Sequence, residues 1–186
     1  MRYAWTLLLA GFLSLSLALS GAALAAPNGF TEHKLPGLTI DLPSDWQIAP
    51  KEALAQLQKK AGDMKILLAA QSPEVPQFAI MEQPIAGMEQ EAFVKLDDAG
   101  VQEICAQAIS GFKQGGATEV NCSRQTTAKG AAMAITALFP ARGLCNVSWG
   151  FYKGKKTLAV SAMLRQRDTK LPAKLETALK SIRLGK

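Results

Sequence analysis

Histidine chemistry is limited in this chain because His33 is its only histidine. Ser-His-Asp and Cys-His enzymes place an imidazole beside the nucleophile, where it accepts and returns the proton. His33 lies in the polar stretch 31–34, and the sequence has neither a Gly-x-Ser-x-Gly elbow nor a phosphate-binding glycine loop. We therefore expect His33 to be exposed and to have no catalytic role.

Carboxylate pairs offer a second route to hydrolysis, since two acids in different environments can divide the acid and base roles. Asp97 and Asp98 are adjacent in a predicted helix, so their side chains do not face each other. Glu89 and Glu91 lie where that helix begins, and negative charge there complements the helix dipole. These placements have structural explanations, so the sequence predicts no catalytic residue.

Three cysteines, Cys105, Cys122 and Cys145, could form one disulfide and leave one thiol. Their spacing fits neither a zinc site nor a Cys-x-x-Cys redox pair. Cys105 lies about nine residues before its predicted helix ends, which is ~14 Å along the helix axis. Cys122 lies about four residues into the next strand, which is ~13 Å along that strand. A helix that folds back on the strand therefore places the two cysteines at the same height. Cys145 lies at the start of its predicted strand, at a different height from the other two cysteines. We predict a Cys105–Cys122 disulfide, and three buried thiols are the alternative.

A cationic turn, Lys153-Gly154-Lys155-Lys156, joins two predicted strands. Such a tip can touch an anionic surface, and its binding would then weaken steeply with added salt. We therefore predict Lys153, Lys155 and Lys156 as residues of a peripheral contact with an anionic membrane. Lysines at hairpin tips also serve solubility alone, and that is the alternative.

The charge of the chain is uneven. Residues 26–141 carry nine basic and thirteen acidic side chains, a net charge of −4, whereas residues 142–186 carry eleven basic and two acidic ones, a net charge of +9. A basic C-terminal third can attract lipid headgroups, a cell-wall polymer or an acidic protein. Solvated strand and helix faces explain the same charges. Nucleic acid is not a predicted partner, because no aromatic residues alternate with the basic ones.

Residues 1–25 have the composition of a secretory signal peptide. Arg2 is followed by an uncharged, mostly apolar run, and the segment ends in Ala23-Leu24-Ala25, small residues at the spacing that signal peptidase accepts. We expect cleavage there and a single domain, 26–186, that acts outside the cytoplasm, in the periplasm or as a secreted protein. An uncleaved anchor is the alternative, because the run approaches the ~20 residues that span a bilayer.

Hydrophobic periodicity predicts the elements that must position these residues. The predicted strands are 30–34, 38–42, 64–70, 78–82 with an extension to 85, 118–124, 132–139, 144–152 and 157–165. The predicted helices are 50–61, 89–114 and 171–182. Hairpins mixed with helices indicate an α+β fold with an antiparallel sheet and helices packed on it.

The stretch 37–46, Gly-Leu-Thr-Ile-Asp-Leu-Pro-Ser-Asp-Trp, is a strand that closes in Pro-x-x-Trp. Together with the long helix before a four-strand meander and the final helix ending in Lys180-Ser181-Ile182-Arg183, it resembles the extracytoplasmic PsbP-like superfamily, which includes the DcrB-like lipoproteins. The resemblance implies a PsbP-like α/β/α sandwich, a central antiparallel sheet sandwiched by helices. It also implies binding or assembly without shared catalytic residues. The chain lacks the lipid-anchoring Cys of the DcrB type.

The leading functional hypothesis is an exported, non-catalytic protein, not an enzyme, that binds another protein or an envelope component in an accessory role. The alternative is a small-ligand carrier whose cleft lies between the sheet and the long helix, near Trp46 and Trp149. A hydrolase or a thiol enzyme using Cys145 is the third hypothesis. We predict no cofactor and no metal, and the sequence makes no prediction about the oligomeric state.

Overall fold

The structure is a computed structural model that describes residues 29–84, 88–165 and 169–185. These residues form a mixed α+β fold with a large antiparallel sheet and four helices. The strands are β1 (Phe30–Leu35), β2 (Leu38–Pro43), β3 (Gln47–Ile48), β4 (Lys65–Gln71), β5 (Gln77–Gln83), β6 (Glu119–Thr127), β7 (Gly130–Phe139), β8 (Leu144–Lys153), β9 (Lys156–Leu164) and β10 (Arg183–Leu184). The helices are α1 (Lys51–Lys60), α2 (Gln90–Lys95), α3 (Asp98–Gln114) and α4 (Ala173–Lys180). The predicted signal peptide 1–25 lies outside the described residues.

Seven strands form the main sheet in the order β3-β4-β5-β9-β8-β7-β6, and its neighbouring strands are antiparallel. Two-residue turns join β6 to β7 and β8 to β9. Gly154 begins the second of these turns with φ at 62°, a conformation that tight hairpins require and glycine adopts readily. The four-strand meander predicted from the sequence is thus confirmed.

The largest hydrophobic core lies between the main sheet and a second sheet of three strands in the order β1-β2-β10. Side-chain direction alternates along a strand, so every second residue of β2 faces this core, as do Leu175 and Leu179 of α4. The residues predicted to share one face of β8 and β9 are all in it: Cys145, Val147, Trp149, Phe151, Leu158, Val160, Ala162 and Leu164.

Three helices cover parts of the opposite face of the main sheet. α1 packs on β4 through Ala53 and Ala69. α3 runs along β6, and α2 packs against β7 and β8. Phe93 of α2 and Phe112 of α3 are buried against Met133 and other β7 residues. This face therefore carries two separate hydrophobic clusters, one under α1 and one under α2 and α3.

The single helix predicted over 89–114 is wrong, because the chain leaves helical conformation at Leu96. Two polar contacts stabilise the break. Arg124 donates from Nη1 to the carbonyl oxygen of Leu96 at 2.6 Å and so caps the negative end of α2. The Asp97 carboxylate accepts from the backbone N–H of Gly100 at 2.8 Å and caps α3. The break is therefore at the two cap residues, Leu96 of α2 and Asp97 of α3.

Helices cover parts of both faces of the main sheet, but a second sheet shares one of the two layers. One side of the main sheet carries α1, α2 and α3, whereas the other carries α4 together with the three-stranded sheet. β1 and β2 belong to that second sheet. The short strands β3 and β10 were not predicted, because two residues give no readable alternation.

Candidate functional site

On the helix side of the main sheet, the surface over β5, β9 and part of β8 lies between α1 on one side and α2 and α3 on the other. α1 packs at one side of this face on β4, and α3 packs at the other on β6. Five strand spacings, or about 24 Å, separate β4 from β6. The halves of α1 and α3 that face each other fill about 10 Å of that width, so these two helices do not cover the whole face. In the described part of the chain, the hydrophobic clusters under these helices include no residue of β5 or β9. We call this surface the central groove.

The strand register defines the floor of the central groove. Ala79, Ser161 and Met163 are partly exposed on this floor, although β5 and β9 are interior strands of the sheet, so the groove is open to solvent there. No floor residue carries a charged side chain. The floor residues are Gln77, Ala79, Met81, Met163, Ser161, Ala159, Asn146, Ser148 and Gly150.

Asn146 is the most unusual residue of the floor. Asn146 is only 8% exposed. Its Nδ2 donates to Ser161 Oγ at 3.5 Å, which is a long hydrogen bond. Its carbonyl oxygen, Oδ1, is buried and has no hydrogen-bond partner among the described residues. Ser148, also 8% exposed, lies two residues along the same strand face. The groove thus presents an unused hydrogen-bond acceptor beside two hydroxyl groups.

The groove is closed at the end nearest the β8–β9 turn. Phe93 of α2 packs on Tyr152 with ring centroids 4.9 Å apart. The Tyr152 hydroxyl donates to Met133 Sδ at 3.6 Å, and burial raises the pKa of Tyr152 above its ordinary value. The open part of the groove is therefore the half nearer Asn146.

The edge strand β6 is a second candidate surface. Among the described strands it pairs only with β7, and that register is continuous over nine residue pairs without a bulge. Asn121, Ser123 and Gln125 are exposed along it. Arg124 donates to backbone carbonyl oxygens at the end of α2. β6 thus lacks the lysines, prolines and bulges that usually block an open sheet edge.

The predicted disulfide is present. Cys105 of α3 and Cys122 of β6 are joined with an Sγ–Sγ distance of 2.03 Å, so the bond fastens the helix to the edge strand. Cys145 is outside any disulfide and is fully buried in the core between the two sheets. Its thiol is therefore not accessible to a substrate in solution.

The three lysines of the predicted contact lie together at the β8–β9 turn but differ in their partners. Lys156 Nζ is 2.7 Å from Glu82 Oε1. Within the described ranges no ion pair involves Lys153 or Lys155, and Lys153 Nζ lies close to Gly37 in the β1–β2 turn. Two of the three charges are thus available to an anionic surface.

His33 lies on β1 opposite Ile40, on the other side of the main sheet from the central groove. It is half-buried rather than exposed, because the strand pairing turns it towards the core. Burial lowers the pKa of His33, and the Asp41 carboxylate opposes that effect. Asp41 itself accepts hydrogen bonds from Arg183 at 2.8 and 3.0 Å, which lower the Asp41 pKa.

The ligand cleft predicted near Trp46 and Trp149 is not found at that position. Both side chains are buried in the core between the sheets, and Trp46 packs edge-on against Phe78 with ring centroids 5.1 Å apart. The groove lies on the opposite face. Its polar residues were missed because only the apolar face of β8 and β9 was read from the sequence. The sequence does contain a signal for these residues, because Asn146, Ser148 and Ser161 alternate with the apolar residues along β8 and β9.

The remaining acids have structural positions. Asp97 is the N-cap of α3, and Asp98 Oδ1 is 3.9 Å from Arg124 Nη2. Glu89 precedes the first turn of α2 and Glu91 lies within it, as predicted. Nowhere in 29–84, 88–165 and 169–185 do three or more His, Cys, Asp or Glu side chains gather closely enough to hold a metal ion.

The chain matches no protein-family model and no curated protein sequence. Within the segments that the structure describes, no helix combines the length and the apolar character needed to cross a membrane.

Proposed function

We propose that this chain is an exported, non-catalytic protein that binds another protein of the cell envelope, with the edge strand β6 as its binding surface. The observation that carries the proposal is the open edge of β6. This strand has nine residues, an unbroken register and exposed polar side chains. An unprotected edge presents a row of unpaired N–H and C=O groups, which an extended segment of a partner can complete as an additional strand.

The disulfide supports this role because it holds the edge strand in place. Cys122 lies in the middle of β6, and its bond to Cys105 fastens the strand to α3 before a partner arrives. A strand that is already ordered loses less conformational freedom when it pairs, which favours binding. The same bond supports export, since disulfides persist in oxidising compartments. The signal-peptide composition of residues 1–25 supports export independently.

A non-catalytic role is supported by where the proton-transfer groups lie. His33 and the central groove are on opposite sides of the main sheet, so the imidazole cannot act on a molecule in the groove. Burial lowers the pKa of His33, and Asp41, whose carboxylate opposes that effect, accepts hydrogen bonds from Arg183. The resemblance to the PsbP-like superfamily supports the same role, and a PsbP-like sandwich arrangement is part of the proposal.

Photo-crosslinking in the native envelope fraction tests the edge. A photoreactive residue at Asn121 of β6 should trap the same partner repeatedly. Ser123→Lys with Gln125→Lys should abolish the crosslink, because charged side chains on an edge strand oppose pairing. The matched control is Gln102→Lys with Gln107→Lys, which adds the same charge at exposed positions of α3 and should leave the crosslink intact. A crosslink that survives the β6 lysines would contradict the proposal, and a crosslink to a second copy would assign the edge to self-association instead.

One observation favours a second candidate function, a carrier of a small ligand. Asn146 Oδ1 is a buried acceptor without a partner in the described part of the chain, and Asn146 lies on the groove side of β8, next to the partly exposed Met163 and Ser161. Buried polar groups in folded proteins are normally satisfied, so such an atom marks a place where a ligand can donate a hydrogen bond.

A further inference from the structure

We propose that the central groove binds an uncharged amphiphile whose hydroxyl or amide N–H donates a hydrogen bond to Asn146 Oδ1. This inference rests on the second candidate function and deepens it by naming the ligand class. It does not depend on the edge of β6, which lies beyond β7 on the far side of α3 from the groove floor.

The hydrogen-bond requirement comes from Asn146. The residue is only 8% exposed, so water reaches it poorly, and its Oδ1 has no donor among the described residues. Its amide nitrogen lies 3.5 Å from Ser161 Oγ, and Oδ1 is the atom of the side chain that has no hydrogen-bond donor among the described residues. An unsatisfied buried acceptor is unfavourable, and a ligand that supplies the missing donor removes that penalty.

The absence of charge on the floor selects against ions. Amide, hydroxyl and thioether groups line it, and none of them neutralises a carboxylate or an ammonium group. Burying an unpaired charge is far more costly than burying a hydroxyl. A carboxylate is excluded for a second reason, since it only accepts hydrogen bonds and would place its lone pairs against Oδ1.

The apolar part of the ligand follows from the other floor residues. Met163 and Ala79 are partly exposed in the open half, whereas Met81 and Ala159, nearer the closed end, are buried. Methionine side chains are flexible and polarizable, so they adapt to an aliphatic chain without a fixed shape. The partly exposed residues lie beside Asn146 and Ser161 in the β5–β9–β8 register, so the apolar part of the ligand contacts the floor next to its hydrogen-bond donor.

Binding of three probes that each carry an eight-carbon chain, 1-octanol, methyl octyl ether and octanoate, tests the proposal by NMR of the methionine methyl groups in the intact mature chain. We expect 1-octanol to shift the Met163 methyl signal and to bind about tenfold more tightly than methyl octyl ether, which has no donor. Octanoate should bind most weakly. Asn146→Leu should abolish the tenfold preference, whereas Gln107→Leu, which removes a side-chain amide at an exposed site on α3, should preserve it.

Equal affinity of the unmodified protein for the alcohol and the ether would overturn the proposal, as would tightest binding of octanoate or an unchanged Met163 signal. The comparison of alcohol with ether uses the unmodified chain, so it stands even if Asn146→Leu fails to fold. If the unmodified protein shows no preference for the alcohol but the crosslink at Asn121 is retained, the ligand site in the groove is rejected and partner binding at the β6 edge is supported. The opposite pair of results would reject the edge and keep the groove.

Discussion

Arg183 links three parts of the chain that are far apart in sequence. Its guanidinium donates to Asp41 at 2.8 and 3.0 Å and to Glu32 at 3.0 Å, and so joins β10 to β2 and β1. These hydrogen bonds favour the ionised carboxylate, which is why the pKa of Asp41 lies below its ordinary value of 3.8. A carboxyl group whose pKa is lowered by folding stabilises the folded state only while it is ionised.

We expect Arg183→Met to lower the free energy of unfolding by about 1 kcal/mol at neutral pH, less than a buried charged hydrogen bond contributes, because the site is partly exposed. The difference from the unmodified protein should persist down to about pH 4 and shrink below it, as Asp41 is protonated in both states. Chemical denaturation at pH 7 and pH 3 measures this. Lys180→Met, which removes the exposed pair with Glu176, is the control and should cost about 0.3–0.5 kcal/mol. An Arg183→Met loss that is equal at both pH values would contradict the assigned role of Asp41.

Among the helices and strands, the Cys105–Cys122 bond connects the longest described helix to the edge of the main sheet. The two cysteines are 17 residues apart, so the loop-entropy model gives about 3 kcal/mol of stabilisation. We expect Cys105→Ala with Cys122→Ala to lower the unfolding free energy by that amount and to make the melting temperature insensitive to a reducing agent.

Cys145→Ala is the matched control for the disulfide, since it removes a cysteine that is in the core and outside the bond. Its melting temperature should still fall when the protein is reduced, whereas that of the double variant should not. Equal sensitivity of the double variant and the control to the reducing agent would show that Cys105 and Cys122 are not paired in the protein.

Local pattern predicted most of the elements, and long-range contacts explain most of the errors. The alternation in β8 and β9 correctly predicted which face is buried, because that pattern depends only on neighbouring residues. The break at Leu96 depends on Arg124, which is 28 residues away in sequence, so no window around the helix contains its cause. β10 likewise exists only because β2 is beside it.

The candidate surfaces were harder to predict for the same reason. Asn146 and Ser161 come from different strands, and only the β8–β9 register places them side by side on one face. The disulfide was predictable because both cysteines are close in sequence to the turn between α3 and β6. The rise per residue of the helix and of the strand gives the distance of each cysteine from that turn, and the two distances are similar. The open edge of β6 was not predictable, since strand order in a sheet is decided by the packing of the whole chain.

Across the whole molecule, the basic C-terminal third does not form one surface. Arg142 and Arg165 lie at one end of the β8–β9 hairpin, and Lys153 and Lys155 lie at the other. A ten-residue strand separates them by about 33 Å, several times the screening length of ~8 Å at physiological salt. The positive charges of the β8–β9 hairpin are therefore divided between its two ends, and Lys174, Lys180 and Arg183 lie elsewhere, on α4 and β10.

This division limits how strongly the β8–β9 turn can bind an anionic membrane. Lys156 is paired with Glu82, which leaves Lys153 and Lys155 to attract the surface. At about 1 kcal/mol for each basic residue near anionic lipid, they should raise partitioning roughly 30-fold at low salt. We expect Lys153→Gln with Lys155→Gln to remove most of the binding to phosphatidylserine vesicles in a sedimentation assay at ~20 mM salt, and binding of either form to be weak near ~150 mM.

Arg142→Gln with Arg165→Gln is the control that separates a local contact from net charge, since it removes two positive charges at the opposite end of the hairpin. If the turn touches the lipid, this control should keep its vesicle binding, because its charges lie about 33 Å from the contact and are screened there. Equal loss of binding in both variants would mean that the molecule is attracted by its total charge in any orientation, and the predicted contact at Lys153 and Lys155 would then be wrong.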